Sequence, residues 1–279
     1  MKTRFIVVVA VLLLAPYTLF AQCSDAGACS IGAMGPGRQH YLSARYAFGR
    51  SGKADDLTIH TIEIEASFSL FSRSRLMVLM PWSRVAGPAG NVSGPGDLTV
   101  LWHQPIVETD NGRLTGQIGF KLATGTADGG GLPQAYQPGL GTNDLLIGAA
   151  YETGPWLFAA GYQWSGGRSD NALTRLKRGD DVMARAGYNT SIGDLGAGIE
   201  LLAIKRLHTS SVLAAGTNAF VDVPGSDQFQ MNLVPALSLP VSASVTLHGA
   251  AAIPLLKRDV NVDGLTRSLT LVIGIRTSW

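Results

Sequence analysis

Charge, cysteine and long apolar runs are all scarce in this sequence. Charged residues make up 15% of the chain, against about 25% in an average soluble domain. Intrinsic disorder calls for more charge and fewer β-branched and aromatic residues, so it is excluded. The net charge is only +2, and no Lys/Arg cluster lies beyond the first few residues. Nucleic-acid binding therefore has no electrostatic footprint. There are 2 cysteines, both near the start, and no His/Cys spacing that would hold a metal. His40, His60, His103, His208 and His248 are scattered singly. No Ser stands in a G-x-S-x-G elbow, and the Gly-rich run at 124–131 lacks the Lys-Ser/Thr of a phosphate loop. We expect no enzyme, no cofactor and no metal. Asp128, Asp144, Asp180 and Asp181 read as solvated loop carboxylates.

One apolar run is long enough to notice, and it is the first. Lys2 and Arg4 precede an apolar stretch at 5–15, and Leu19-Phe20-Ala21 ends on a small residue. This is the layout of a secretory signal peptide. We expect residues 1–21 to be a signal peptide cleaved after Ala21, and 22–37 to be a periplasmic leader. In an oxidising compartment Cys23 and Cys29 are expected to close a small disulfide loop. That loop is also the candidate contact for a periplasmic partner. The leader reads as too short to form a plug.

Glycine, by contrast, is abundant: 34 residues of 279. From residue 38 onward apolar and polar residues alternate with period two. Ile62, Ile64, Ala66, Phe68 and Leu70 alternate with Glu63, Glu65, Ser67 and Ser69. Leu269, Leu271, Ile273, Ile275 and Trp279 alternate with Ser268, Thr270, Gly274 and Ser278. A period of two puts each set on one face of a strand. Twelve such segments are predicted, at 38–49, 57–71, 75–84, 97–107, 113–124, 143–153, 156–166, 181–190, 195–207, 226–239, 241–254 and 265–279. Many reach ten residues, the length of a tilted membrane-spanning strand and beyond the soluble norm.

The connections alternate long and short without exception. Short turns fall at 72–74, 109–112, 153–155, 191–194 and Pro240. Long loops fall at 50–56, 85–96, 125–142, 167–180, 208–225 and 255–264. This predicts an all-β fold: a single up-and-down antiparallel transmembrane β-barrel over 38–279, with short periplasmic turns and long external loops. Its location is the outer membrane of a Gram-negative cell, among lipid and lipopolysaccharide. Aromatics gather near strand ends, as interface anchors do. Trp279 closes the last strand in register, like the signal that the outer-membrane assembly machinery reads. Pro81, Pro105, Pro235 and Pro254 fit the strands worst and are expected at strand ends or bulges near the rims.

If the apolar parity faces lipid, the other parity lines the lumen. The lumen-lining candidates are Arg45, Glu63, Glu65, His103, Gln117, Lys121, Gln163, Arg185, Glu200, His248 and Arg276, with Thr246 beside them. They predict a polar interior, in which opposite charges either pair across the lumen or line a polar path.

Several short motifs add a family resemblance. They are Gly94-Pro95-Gly96-Asp97-Leu98, Leu122-Ala123-Thr124-Gly125, the run from Pro138 to Asp144, Gly161-Tyr162-Gln163-Trp164, and Ile253-Pro254-Leu255. Together they resemble the outer-membrane transporter family associated with the meta-pathway of phenol degradation. The resemblance runs from about residue 40 to the end. It implies a barrel of the 12-stranded type that passes small molecules, hydrophobic or aromatic ones among them. The family supplies no catalytic residues to carry over. On this reading the protein is a passive channel for a small-molecule solute; the other reading is a non-conducting structural or adhesive barrel that acts through its loops or a periplasmic partner.

Overall fold

The computed structural model describes residues 30–31, 40–52, 56–71 and 73–279. The signal peptide, Cys23, Cys29 and most of the leader lie outside the described residues. The strands are β1 (Tyr41–Arg50), β2 (Thr58–Leu70), β3 (Ser74–Gly87), β4 (Gly90–Pro95), β5 (Leu98–Thr109), β6 (Gly112–Leu122), β7 (Asn143–Thr153), β8 (Trp156–Gly166), β9 (Asp181–Ile192), β10 (Leu195–Arg206), β11 (Ser211–Leu213), β12 (Phe220–Asp222), β13 (Phe229–Pro240), β14 (Val245–Leu256) and β15 (Leu269–Ser278).

Each long strand pairs antiparallel with its sequence neighbour, and β1 pairs with β15 from Tyr41↔Ser278 to Arg50↔Leu269. The sheet therefore closes on itself. Of the 13 strands in the main sheet, β4 only extends the hairpin from β3, which leaves twelve in the barrel. Closure leaves no edge of unpaired N–H and C=O groups. In hydrocarbon each such group costs several kcal/mol (about 2–7), so a barrel is the stable form for these strands.

The exterior is apolar. Ile62, Met80, Phe120, Ile147, Ile199, Ile273 and Ile275 are all exposed, which is tenable for a surface that meets lipid. Aromatics mark the two ends of this band. Trp156 packs edge-on to Tyr188 with ring centres 4.8 Å apart, and Trp279 stacks on His40 at 6.1 Å, both at the short-turn end. Trp82 and Trp164 stand exposed toward the long-loop end. Trp279 also donates its backbone N–H to the His40 carbonyl at 3.0 Å, so the last residue is tied to the chain entering β1.

The structure corrects the sequence reading in several places. The loop at 85–96 is largely strand, because β3 runs on to Gly87 and folds back as β4. The reversal at Pro240 is a turn over 241–244, and β14 starts at Val245. Ser242 explains this: its Oγ accepts the Val245 N–H at 3.1 Å, and Val241 donates to the Val245 carbonyl at 2.9 Å, so the alternating run 241–244 is spent on the turn. Pro105 and Pro254 do sit at bulges in the ladders. Pro81 sits where β3 passes from pairing with β5 to pairing with β4. Pro235 does not follow the rule. It lies in the middle of β13, opposite Ile199, where the ladder to β14 is interrupted between Leu233 and Ala236. A proline has no N–H to donate there, and the interruption accommodates it.

Candidate functional site: the barrel lumen

Strand parity puts the lumen-lining candidates inside the closed sheet. Arg45, Glu63, Glu65, His103, Gln117, Lys121, Gln163, Arg185, Glu200 and Arg276 are buried, and His248 is half-buried. They do not form one polar path. The lumen has three zones.

The zone at the short-turn end is built around Tyr41. Its hydroxyl donates to Glu65 Oε1 at 2.5 Å, and its ring faces the Arg276 guanidinium at 4.6 Å. Arg45 holds both neighbouring carboxylates: it pairs with Glu63 and donates to Glu65 Oε2 at 2.5 Å. The register explains the grouping, since Arg45 lies directly opposite Glu63 across β1–β2. His103 and Gln117 are likewise opposite across β5–β6, with 3.0 Å between Gln117 Nε2 and His103 Nδ1. A further pair, Arg185–Glu200 at 3.1 Å, bridges β9 and β10.

The middle zone is apolar, which corrects the expected polar interior. Met77, Leu101, Leu146, Met183, Leu202 and Ile204 form one buried cluster on the inner wall. Across the lumen Ala47, Val234, Ala252 and Val272 are also buried. The sequence does carry a signal for this. Leu76-Met77-Val78-Leu79-Met80 and Leu145-Leu146-Ile147 are unbroken apolar runs, and an unbroken run puts apolar side chains on both faces of a strand.

Ile31 is part of the same cluster and is 1% exposed. It seats over Gly148 and Gly161, where a Cβ would stand 2.2 Å and 2.6 Å from its side chain. The leader therefore enters the lumen at Ile31, although it is too short to form a plug domain. Two glycines opposite each other across β7–β8 make the recess; a leader of this length needs only one side chain to occupy it.

The zone at the long-loop end is an ionic knot that sequence reasoning missed. Lys121 pairs with Asp144 at 2.7 Å and Asp97 at 3.7 Å. Arg178 reaches Asp181 at 2.7 Å, Asp144 at 3.5 Å and Asp263 at 3.5 Å. Arg206 joins Asp181 at 3.1 Å to Asp263 at 2.8 Å, and Arg258 adds a contact to Asp181 at 3.5 Å. Four cations thus meet four carboxylates, all buried. Asp144 and Asp181 are therefore not solvated loop carboxylates. Asp180 is also engaged: it accepts from Tyr162 at 2.6 Å and from the Ser165 N–H at 2.9 Å. Burial alone would push the Asp263 carboxyl up, but Arg206, Arg178 and Arg258 outweigh it and hold the group well below the usual carboxylate range.

The loops lie over this knot. The loop at 123–142 crosses toward β2 and β3, where Tyr136 and Ala135 pack against Leu57, Ile59 and Val85. Asn171 from the loop at 167–180 donates to the carbonyls of Ala127 and Leu132 at 3.0 and 2.9 Å. Asp97 fixes the base of the crossing loop by accepting from Gly125 at 3.0 Å and Leu140 at 2.7 Å. Among the described residues there is no group of His, Cys, Asp and Glu arranged to hold a metal ion.

No protein-family model and no curated protein sequence matches the chain. Solved structures do. The COG4313 outer membrane channel from Pseudomonas putida F1 superposes with a TM-score of 0.67 at 15% identity, covering 88% of this chain and 96% of that one. The NanC porin superposes with a TM-score of 0.50 at 9% identity, covering 86% of this chain and 98% of its own. At these identities the likeness speaks to the fold: a closed 12-stranded antiparallel barrel.

Proposed function

We propose that this protein is an outer-membrane channel for small, largely apolar solutes. On this reading the short turns face the periplasm, the long loops face outward, and a signal peptide over residues 1–21, cleaved after Ala21, directs export. The carrying observation is the apolar inner wall, in which Ile31 already occupies a site. A hydrated ion or sugar gains nothing from Met77, Leu101, Leu146 and Ile204. An apolar solute gains roughly 25 cal/mol for each Å² it buries there. The fold shared with an outer membrane channel and the motif resemblance to the phenol meta-pathway transporters point the same way, and the latter favours aromatic solutes. Trp279, exposed and in register at the end of β15, is the proposed mark for the assembly machinery.

The test is entry of N-phenyl-1-naphthylamine, an apolar fluorescent probe, into cells expressing the barrel. Entry should exceed that of cells without it, and Leu146→Asp should reduce the excess. A barrel shown to be folded by its heat-dependent gel mobility, yet giving no excess entry, would sink the proposal.

A further inference from the structure

We infer that the outer face of the barrel carries a lipopolysaccharide site on β1–β3, near the long-loop end, where Arg50 and Arg84 hold a phosphate of lipid A. This rests on the orientation proposed above, with the long loops outward, because lipid A belongs to the outer leaflet. Strand parity puts Arg50, Arg84 and Lys205 on the outward face of β1, β3 and β10 at the long-loop end, and all three are exposed. Among the described residues no Asp or Glu of the strands faces outward at that end. Lys205 is already engaged: it donates to the Asp227 carbonyl and lies 3.9 Å from the Asp227 carboxylate. The guanidiniums of Arg50 and Arg84 have neither an ion pair nor a hydrogen bond among the described residues. Asp56, exposed in the loop before β2, pairs with neither of them.

The register brings the two arginines together. Arg50 lies opposite Thr58 across β1–β2, and Arg84 lies opposite His60 across β2–β3. They are thus two strands and two residues apart, roughly 10 Å across the sheet and roughly 7 Å along it, so both side chains can close on one group between them. Ser93 stands exposed opposite Arg84 on β4 and adds a hydroxyl. The surface just below, toward the membrane centre, is a strip of rings. His60 is held by the Tyr46 hydroxyl at 2.7 Å and packs on Phe48 with ring centres 5.4 Å apart. Trp82 and Ile62, opposite each other across β2–β3, are exposed beside them.

An arginine on the lipid face is tolerated where it reaches the headgroup layer, and the rings below mark that boundary. A phosphomonoester near neutral pH carries about 1.5 to 2 negative charges. Two guanidiniums without a carboxylate partner match that charge, and its oxygens accept from both. The phosphodiester of a phospholipid brings only a single charge, and in phosphatidylethanolamine an ammonium cancels it. Lipid A carries phosphomonoesters on a sugar core from which its acyl chains descend. A phosphate at Arg50 and Arg84 therefore lays those chains on Phe48, Tyr46, Ile62 and Trp82, with the sugar hydroxyls at Thr58 and Ser93.

The experiment is native mass spectrometry of the full barrel, purified in detergent and titrated with diphosphoryl lipid A or with dioleoylphosphatidylglycerol. Lipid A should bind at least about tenfold tighter than phosphatidylglycerol. The double variant Arg50→Gln, Arg84→Gln should weaken lipid A binding by about tenfold or more and leave phosphatidylglycerol within about twofold. Both positions are exposed, so the variant should fold, which its heat-dependent gel mobility checks. Lys205→Gln should change neither affinity. Equal affinity for the two lipids, an unchanged affinity of the double variant, or an equal loss in Lys205→Gln overturns the site. Orientation is read separately, from an epitope inserted at the exposed Gly216 of a long loop. Detected on intact cells, the epitope leaves a negative lipid result to count against the site alone. Detected only after lysis, it overturns the orientation and the site with it.

Discussion

Asp181 gives the sharpest test of how the long-loop end is held. It is 0% exposed and meets Arg178 at 2.7 Å, Arg206 at 3.1 Å and Arg258 at 3.5 Å. Asp181→Ala turns four cations against four carboxylates into four against three. The lost attraction is not the main cost. The main cost is that buried guanidiniums remain without their common acceptor, and removing one partner of a buried pair costs about 3–5 kcal/mol. In a barrel of this size 1 kcal/mol shifts the midpoint of thermal unfolding by about 2–4 °C, so a fall of about 6–20 °C is expected. Loss of heat-dependent gel mobility in detergent measures it. Asp181→Asn keeps the shape and some hydrogen bonding and should fall between wild type and Asp181→Ala. A midpoint for Asp181→Ala within about 2 °C of wild type would refute the reasoning, since it would mean the knot is wet and screened.

Three further outcomes follow from the geometry. Ile31→Asp puts a charge in an apolar recess and should release the side chain from the lumen; single-channel conductance should rise, and an unchanged conductance would show that Ile31 does not narrow the path. Gly148→Ala places a Cβ 2.2 Å from Ile31 and 2.9 Å from the Ala160 carbonyl; overpacking of this kind costs about 1–3 kcal/mol, and the loss of heat stability should be partly relieved, relative to Ile31→Ala alone, when Gly148→Ala is combined with Ile31→Ala. The pH response follows from Asp263. Its folded-state carboxyl is held below the unfolded value of about 3.9, so its contribution is complete above that value and is lost only as pH falls toward the folded one. Heat stability should therefore change little through Asp263 between pH 7 and pH 5, and Asp263→Asn should flatten the loss below pH 4; a knot that loosens near pH 6 would contradict this.

The barrel was legible because its signal is local. Period-two alternation, strand length and the long–short rhythm of connections each lie within a dozen residues, and the apolar parity had to face outward once the sheet closed. What stayed hidden depends on closure itself. Arg206 and Asp263 are 57 residues apart in sequence, and Arg258 and Asp181 are 77 apart. Of the knot's contacts only Arg178–Asp181 is local. No periodicity relates the others, and a lone Asp at a strand end reads as a loop carboxylate until a second loop brings its arginine.

The apolar stretch of the inner wall is hidden for a different reason: alternation constrains only the lipid face. The outward parity must be apolar because lipid offers no hydrogen bonds. The inward parity carries no such constraint. It is charged at Arg45, Glu65, Lys121 and Asp181 and apolar at Met77, Leu146, Met183 and Ile204. The two kinds share one wall, since Arg185 and Glu200 occupy the same wall as Leu202. The outer face is thus fixed by lipid, and the inner face by which side chains pair or pack inside the closed sheet.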